Sequence, residues 1–147
     1  MKHLSLALLF AVIISFSFAD SILAQEKSYT EGSVWDISLI KTKAPYFDDY
    51  MNNLNNGWKK VMEEAKKQGL ILSYMVLSHS PGSPGDWDLA LLIEYKNMAA
   101  FDGLGEKMEK IQNKLFGERQ AMQDAAVKRN DLRELLGSKL ARQLLFK

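Results

Sequence analysis

Apolar and polar positions along this chain follow two rhythms that alternate. Ser33 to Thr42 (SVWDISLIKT) repeats every second residue, with Trp35, Ile37 and Leu39 on one face and Asp36, Ser38 and Ile40 on the other, which predicts a strand. From Ala44 to Gln68 the rhythm becomes helical. Phe47, Tyr50, Met51, Leu54, Trp58, Val61, Met62 and Ala65 form one buried stripe. Pro45 suits the first helical position, Asp48 and Asp49 the positive end, Lys66 and Lys67 the negative end, and Gly69 the left-handed stop. Asn52 to Gly57 is poor helix material, so a weak turn is expected there.

Leu70 to Asn97 then reads as a hairpin, two apolar runs flanking the Pro/Gly-rich connection SPGSPGDW. Asn97 is a natural cap for a second helix from Met98 to about Phe116, with Met98, Phe101, Met108, Ile111 and Leu115 inward and Gly103 and Gly105 loosening its start. A polar helical segment from Glu118 to Leu136 follows and is expected to stop at Gly137. Lys139 to Phe146 fits a last strand or a helix continuing to the end, and the strand is preferred because Gly137-Ser138 breaks the helix first. The order β-α-β-β-α-(α)-β is that of an α+β, ferredoxin-like split βαβ fold, a four-stranded antiparallel sheet with helices on one face.

The hairpin predicts its own register. Pairing His79 with Asp88 places Leu77 opposite Ala90, Met75 opposite Leu92 and Ser73 opposite Glu94; on the other face Ser78 meets Leu89, Val76 meets Leu91, Tyr74 meets Ile93 and Leu72 meets Tyr95. The second face is nearly all large and apolar and is assigned to the helices. The first is mixed, with Met75, Leu77, Leu92 and, by this reading, Ile40 at its centre. Exposed apolar surface of that kind marks an interface or a ligand cavity, and a second copy of the chain would cover it. A small apolar or aromatic molecule held there would meet Asp36, Ser38, Ser73, Met75, Leu77, Leu92, Glu94 and Arg142.

Composition narrows the chemistry. The chain has 147 residues, and Lys2 followed by the uncharged run Leu4 to Phe18 has the layout of a secretory signal peptide, too short for a comfortable membrane span. Residues 1–24 are therefore expected to be the signal region, cleaved after Ala19 or after Ala24, 25–32 a flexible lead-in and 33–147 a single domain in a periplasmic or secreted bacterial protein. Net charge is +1 with no long basic run, so nucleic acid is not an expected partner. There is no cysteine, so neither disulfides nor a lipoprotein anchor apply. Past the signal, His79 is the only histidine, which excludes His/Cys zinc sites, Cys-His nucleophiles and a two-His iron site within one chain. No metal and no cofactor are expected.

Three small constellations carry what chemistry remains. His79 and Asp88 face each other at the hairpin mouth, where a carboxylate could orient an imidazole as a general base; a solvated pair is the plainer reading. Asp36 and Glu94 would lie close if strands one and three are neighbours, sharing a proton or a cation, or simply neutralised by Arg142. Trp35 and Trp87 read as core or core margin. The SPGSPGDW loop is longer than a turn requires and would make a stiff flap.

The order of elements, the apolar helix after strand one, the EYKNMAAFDG passage and the late GSKLARQLLFK strand together resemble the dimeric α+β barrel superfamily, which includes antibiotic-biosynthesis-type monooxygenases and NIPSNAP-like proteins. The resemblance implies a homodimer whose two sheets form a barrel, with an interior for small apolar or aromatic molecules. Haem-degrading relatives use an Asn-Trp-His set with the His on a helix; His79 falls at a strand end, so that role does not transfer. Three readings follow: a binding module without turnover, a cofactor-independent monooxygenase-type enzyme using His79 and Asp88, and an assembly protein with a filled barrel.

Overall fold

The computed structural model describes residues 26–117 and 119–147; the expected signal peptide lies outside the described residues. Four strands form one antiparallel sheet, β1 (Tyr29–Thr42), β2 (Ser73–Ser78), β3 (Leu89–Tyr95) and β4 (Arg133–Phe146), in the order β2-β3-β1-β4. Helices α1 (Phe47–Asn53) and α2 (Lys59–Lys67) link β1 to β2, and α3 (Leu104–Phe116) and α4 (Arg119–Leu132) link β3 to β4. This is the ferredoxin-like arrangement.

The hairpin has the register read from its sequence, Ser73 opposite Glu94 through Ser78 opposite Leu89. β1 is less simple. It begins at Tyr29, so Tyr29 to Gly32 belong to the strand rather than to a flexible lead-in; Tyr29, Thr30 and Glu31 pair with Phe146, Leu145 and Leu144. Val34 lies opposite Tyr95, Asp36 opposite Ile93 and Ile40 opposite Leu89. Opposed residues share a face, so Ile40 belongs with the large apolar residues of the hairpin under the helices and not on the mixed face. Trp35, expected in the core, lies opposite Glu94 on the mixed face.

Two clusters pack the sheet against the helices. One joins Val61, Met62 and Ala65 of α2 to Ile71, Tyr95 and Ile111, with Tyr95 against Phe101 at 4.5 Å between rings. The other joins Tyr50 and Leu54 to Ile40, Leu89 and Leu91. Trp58 touches both clusters and meets Tyr74 edge-on at 5.2 Å. Burying side chains of this size stabilises by roughly 1.5–3 kcal/mol each before entropy is counted.

The weak turn expected at Asn52–Gly57 takes a definite form. Leu54–Trp58 is a π-helical turn between α1 and α2, a widening that frequently accompanies functional sites. Pro45 is not the first helical residue; it lies in the turn before α1, after a cis Ala44–Pro45 peptide. The second helix is divided, a 3-10 turn over Met98–Phe101 giving way at Gly103, in left-handed conformation, to α3. Met98 and Leu115, expected inside, are exposed.

The helix expected to reach Leu136 stops at Leu132, because the chain is captured by β1. Arg133, Glu134 and Leu135 pair with Thr42, Lys41 and Ile40, and the Lys43 N–H donates to the Leu132 carbonyl at 2.9 Å. Gly137 lies inside β4 opposite Leu39, and a register shift there accommodates the extra residue Leu136. Ladder pairing satisfies these backbone groups and overrides a modest helix preference.

Candidate functional site

Among the described residues two features stand out, the bare face of the sheet and a groove on its helical side. On the bare face, Trp35, Ile37 and Leu39 of β1 join Met75 and Leu77 of β2 and Ala90 and Leu92 of β3. Ser73 Oγ donates to Glu94 Oε2 at 2.6 Å among them. All four helices pack on the opposite side through Tyr50, Leu54, Val61, Ile111 and Leu132.

The eight residues expected to line a ligand cavity therefore do not form one set. Ser73, Met75, Leu77, Leu92 and Glu94 share the bare face. Asp36 and Ser38 point to the helical side, and Arg142 lies opposite Val34 with its guanidinium paired to Glu31. Asp36 and Glu94 are on opposite faces of the sheet and cannot share a proton or a cation, nor does Arg142 neutralise them. Burial instead raises the Asp36 carboxyl above its ordinary range. Tyr95, buried nearby, has its phenol pushed up to about 12, first by burial and then by the Asp36 charge.

His79 and Asp88 are opposed through the backbone, the His79 N–H donating to the Asp88 carbonyl at 3.0 Å. Their side chains do not form a base pair. The Asp88 carboxylate accepts the Thr42 backbone N–H at 3.0 and 3.1 Å and the Thr42 hydroxyl as well, tying the hairpin mouth to the end of β1. The imidazole leans on Trp87, 4.0 Å between ring centres, and its nearest carboxylate is Asp86, 3.8 Å from Nε2. Asp86 is itself occupied by the loop, accepting the Gly82 and Trp87 N–H groups at 3.2 and 2.9 Å, while Lys41 Nζ donates to the Pro84 carbonyl. The SPGSPGDW segment is thus folded on its own hydrogen bonds.

The groove, about 1080 Å³, lies between α1, the π turn, α3, α4 and the sheet. Leu54, Trp58, Met62, Leu91, Met108 and Leu135 supply an apolar lining, and Ser38 reaches its floor. Leu54, Asn56, Gly57 and Trp58 of the π turn form part of the wall, so the widened helical turn and the groove coincide. At one side stand Arg129, near the end of α4, and Arg133, the first residue of β4. The Arg133 guanidinium carbon lies 5.6 Å from the centre of the Tyr50 ring. Tyr50 is 1% exposed, and burial raises its phenol against the opposing pull of the two arginines. Sequence patterning missed this pair. Its only trace was the four-residue spacing of Arg129 and Arg133 in a segment that otherwise reads as a solvated helix.

No protein-family model matches the chain, and no curated protein matches it. Solved structures similar to it include the following three. A dimeric ferredoxin-like protein from an uncultured marine organism is 10% identical, with 80% of this chain and 90% of that one covered and a TM-score of 0.49. A dimeric protein of unknown function and ferredoxin-like fold from Bacteroides fragilis is 18% identical over 81% and 100% of the two chains, with a TM-score of 0.41. A dimeric ferredoxin-like protein of unknown function from Thermobifida fusca is 13% identical over 82% and 99%, with a TM-score of 0.33.

Among the described residues no cluster of three or more His, Cys, Asp or Glu is placed to hold a metal ion, and no helix is long and apolar enough to cross a membrane. Neither His79 nor Asp88 lines the groove. What the groove offers is binding: an apolar floor, amide side chains of Asn53, Asn56 and Gln123, and two guanidinium groups.

Proposed function

We propose that this chain is an exported binding module that works as a homodimer and takes a small apolar or aromatic molecule into the groove beneath its helices. The groove carries the reading. Between the helices and the sheet it combines an apolar floor with a few polar groups, the composition usual for small-molecule sites. Its volume, about 1080 Å³, is slightly above the roughly 300–1,000 Å³ usual for small-molecule sites. The dimer is supported by the bare face, where Met75 and Leu77 are exposed beside Trp35, Ile37 and Leu92 with no covering layer among the described residues. Export is supported by Lys2 and the uncharged run Leu4 to Phe18. With Asp88 committed to Thr42, turnover by a His79–Asp88 base pair has no geometric support.

The neutral dye N-phenyl-1-naphthylamine tests the binding reading. Its fluorescence should rise and saturate with the purified protein, and Ala126→Trp, which places an indole in the groove wall, should abolish the rise while leaving the far-ultraviolet circular dichroism intact. A folded protein that gives no saturable signal overturns it. Light scattering on the eluting protein tests the dimer, and a stable monomer mass overturns that part alone.

A further inference from the structure

We propose that the groove selects amphiphilic anions, holding a flat apolar body against Leu54, Met62 and Met108 and a single carboxylate- or sulfonate-type head between Arg129 and Arg133. The inference rests on the proposed ligand role of the groove and adds the chemistry of what it admits.

The arginines are the unusual part of the lining. They stand four residues apart, where α4 ends and β4 begins, and both face the same groove. Among the described residues neither has an ion-pair or hydrogen-bond partner, and Arg133 Nε is buried with nothing to donate to. Partial burial together with the neighbouring Arg133 charge lowers the Arg129 pKa, and Tyr50 supplies only a small opposing effect. Two partly desolvated cations beside each other are unfavourable unless an anion joins them.

The acidic groups around them do not supply that anion. Asp88, which Tyr50 senses, is engaged by Thr42. Asp49 lines the groove but is exposed and makes no ion pair with either arginine, and Glu109 stands on α3 across the groove with an interaction of its own. A guanidinium presents paired N–H groups that match a carboxylate or sulfonate edge, and one anionic head can bridge two of them. Tyr50 beneath Arg133 holds that guanidinium by its ring face and leaves its N–H edge available.

The test compares two dyes that share one body. 1-Anilinonaphthalene-8-sulfonate carries an anionic head, and N-phenyl-1-naphthylamine lacks it. At low salt the full-length protein should bind the sulfonate about tenfold more tightly, the size of effect one or two charge-assisted hydrogen bonds supply. Arg129→Gln with Arg133→Gln should remove that preference while neutral-dye binding persists, which also certifies that the variant is folded. Arg129→Lys should keep part of the preference and weaken it further as salt rises. Neutral-dye binding with no preference for the sulfonate, or a preference that survives the double substitution, overturns the inference and leaves the groove reading standing. If neither dye binds the folded protein, both fall together.

Discussion

The two faces of this sheet are made from the same strands and meet different surroundings. Under the helices Ile40, Leu89 and Tyr95 are at most 4% exposed, whereas on the bare face Met75 and Leu77 are 39% and 48% exposed. Apolar content alone does not explain the difference. β1 contributes Asp36 and Ser38 to the covered side and Trp35, Ile37 and Leu39 to the bare one. Coverage follows from connectivity instead. β1 to β2 and β3 to β4 are both crossovers between parallel, non-adjacent strands, and the right-handed rule for such units lays both sets of helices on one face. Strand chemistry then adapts to a side already chosen.

The sharpest way to break this contrast is to truncate one residue on each face. Ile40→Ala should cost about 2–5 kcal/mol in urea unfolding, because it opens a cavity between Tyr50, Leu54 and Leu89. Leu77→Ala, measured on protein dilute enough to be monomeric, should cost less than about 1 kcal/mol, since much of that side chain already meets water. Equal losses would erase the difference between the faces.

A smaller effect probes the clamp that fixes the hairpin against β1. Asp88→Ala leaves the partly buried Thr42 N–H without its acceptor and should cost about 1–3 kcal/mol. Hydrogen exchange should quicken at Thr42 and at His79 before it changes at Val34. Uniform quickening would mean that the clamp does not separate one end of the sheet from the other.

The smallest effect concerns the one carboxylate of β1 on the covered side. Burial raises the folded-state Asp36 pKa, so at neutral pH the charged form disfavours the folded protein. As pH falls through the folded pKa, the folded protein takes up the proton first and that cost disappears. Asp36→Asn should therefore be more stable than the parent at pH 7 by a few tenths of a kcal/mol, allowing for solvent screening, and equal to it near pH 3. In the same variant the Tyr95 phenol should titrate somewhat below its present value of about 12, by ultraviolet absorbance. A parent more stable than the variant at neutral pH would refute the sign.

The hairpin was legible because its two strands carry complementary patterns, large apolar residues on one parity and mixed residues on the other, and one register satisfies both. β1 was not. Its more apolar central parity, Trp35, Ile37 and Leu39, lies on the bare face, because its phase against β3 is set by long-range pairing, and a shift of one residue moves every side chain to the other face. That is why Asp36, Ser38 and Ile40 were expected beside Met75 and Leu77 and lie across the sheet from them. The groove escaped for a related reason. Arg129 lies in the last turn of a helix and Arg133 starts a strand, and a polar helical segment running on to Leu136 carries no sign of that break. The weak turn at Asn52–Gly57 was visible in composition, but that it widens into a π turn on the groove wall depends on tertiary packing.

The long β1–β4 ladder has a kinetic meaning. Thr30 pairs with Leu145 and Ser38 with Ser138, and β1 holds an interior place in the sheet. During synthesis one edge of β1 has no partner until nearly every other element has been made, and closing so long a loop is slow. For all that time the chain presents an open strand edge bearing Trp35, Ile37 and Leu39, a template for pairing with other chains. A ribosome-bound form would need shielding there until β4 arrives.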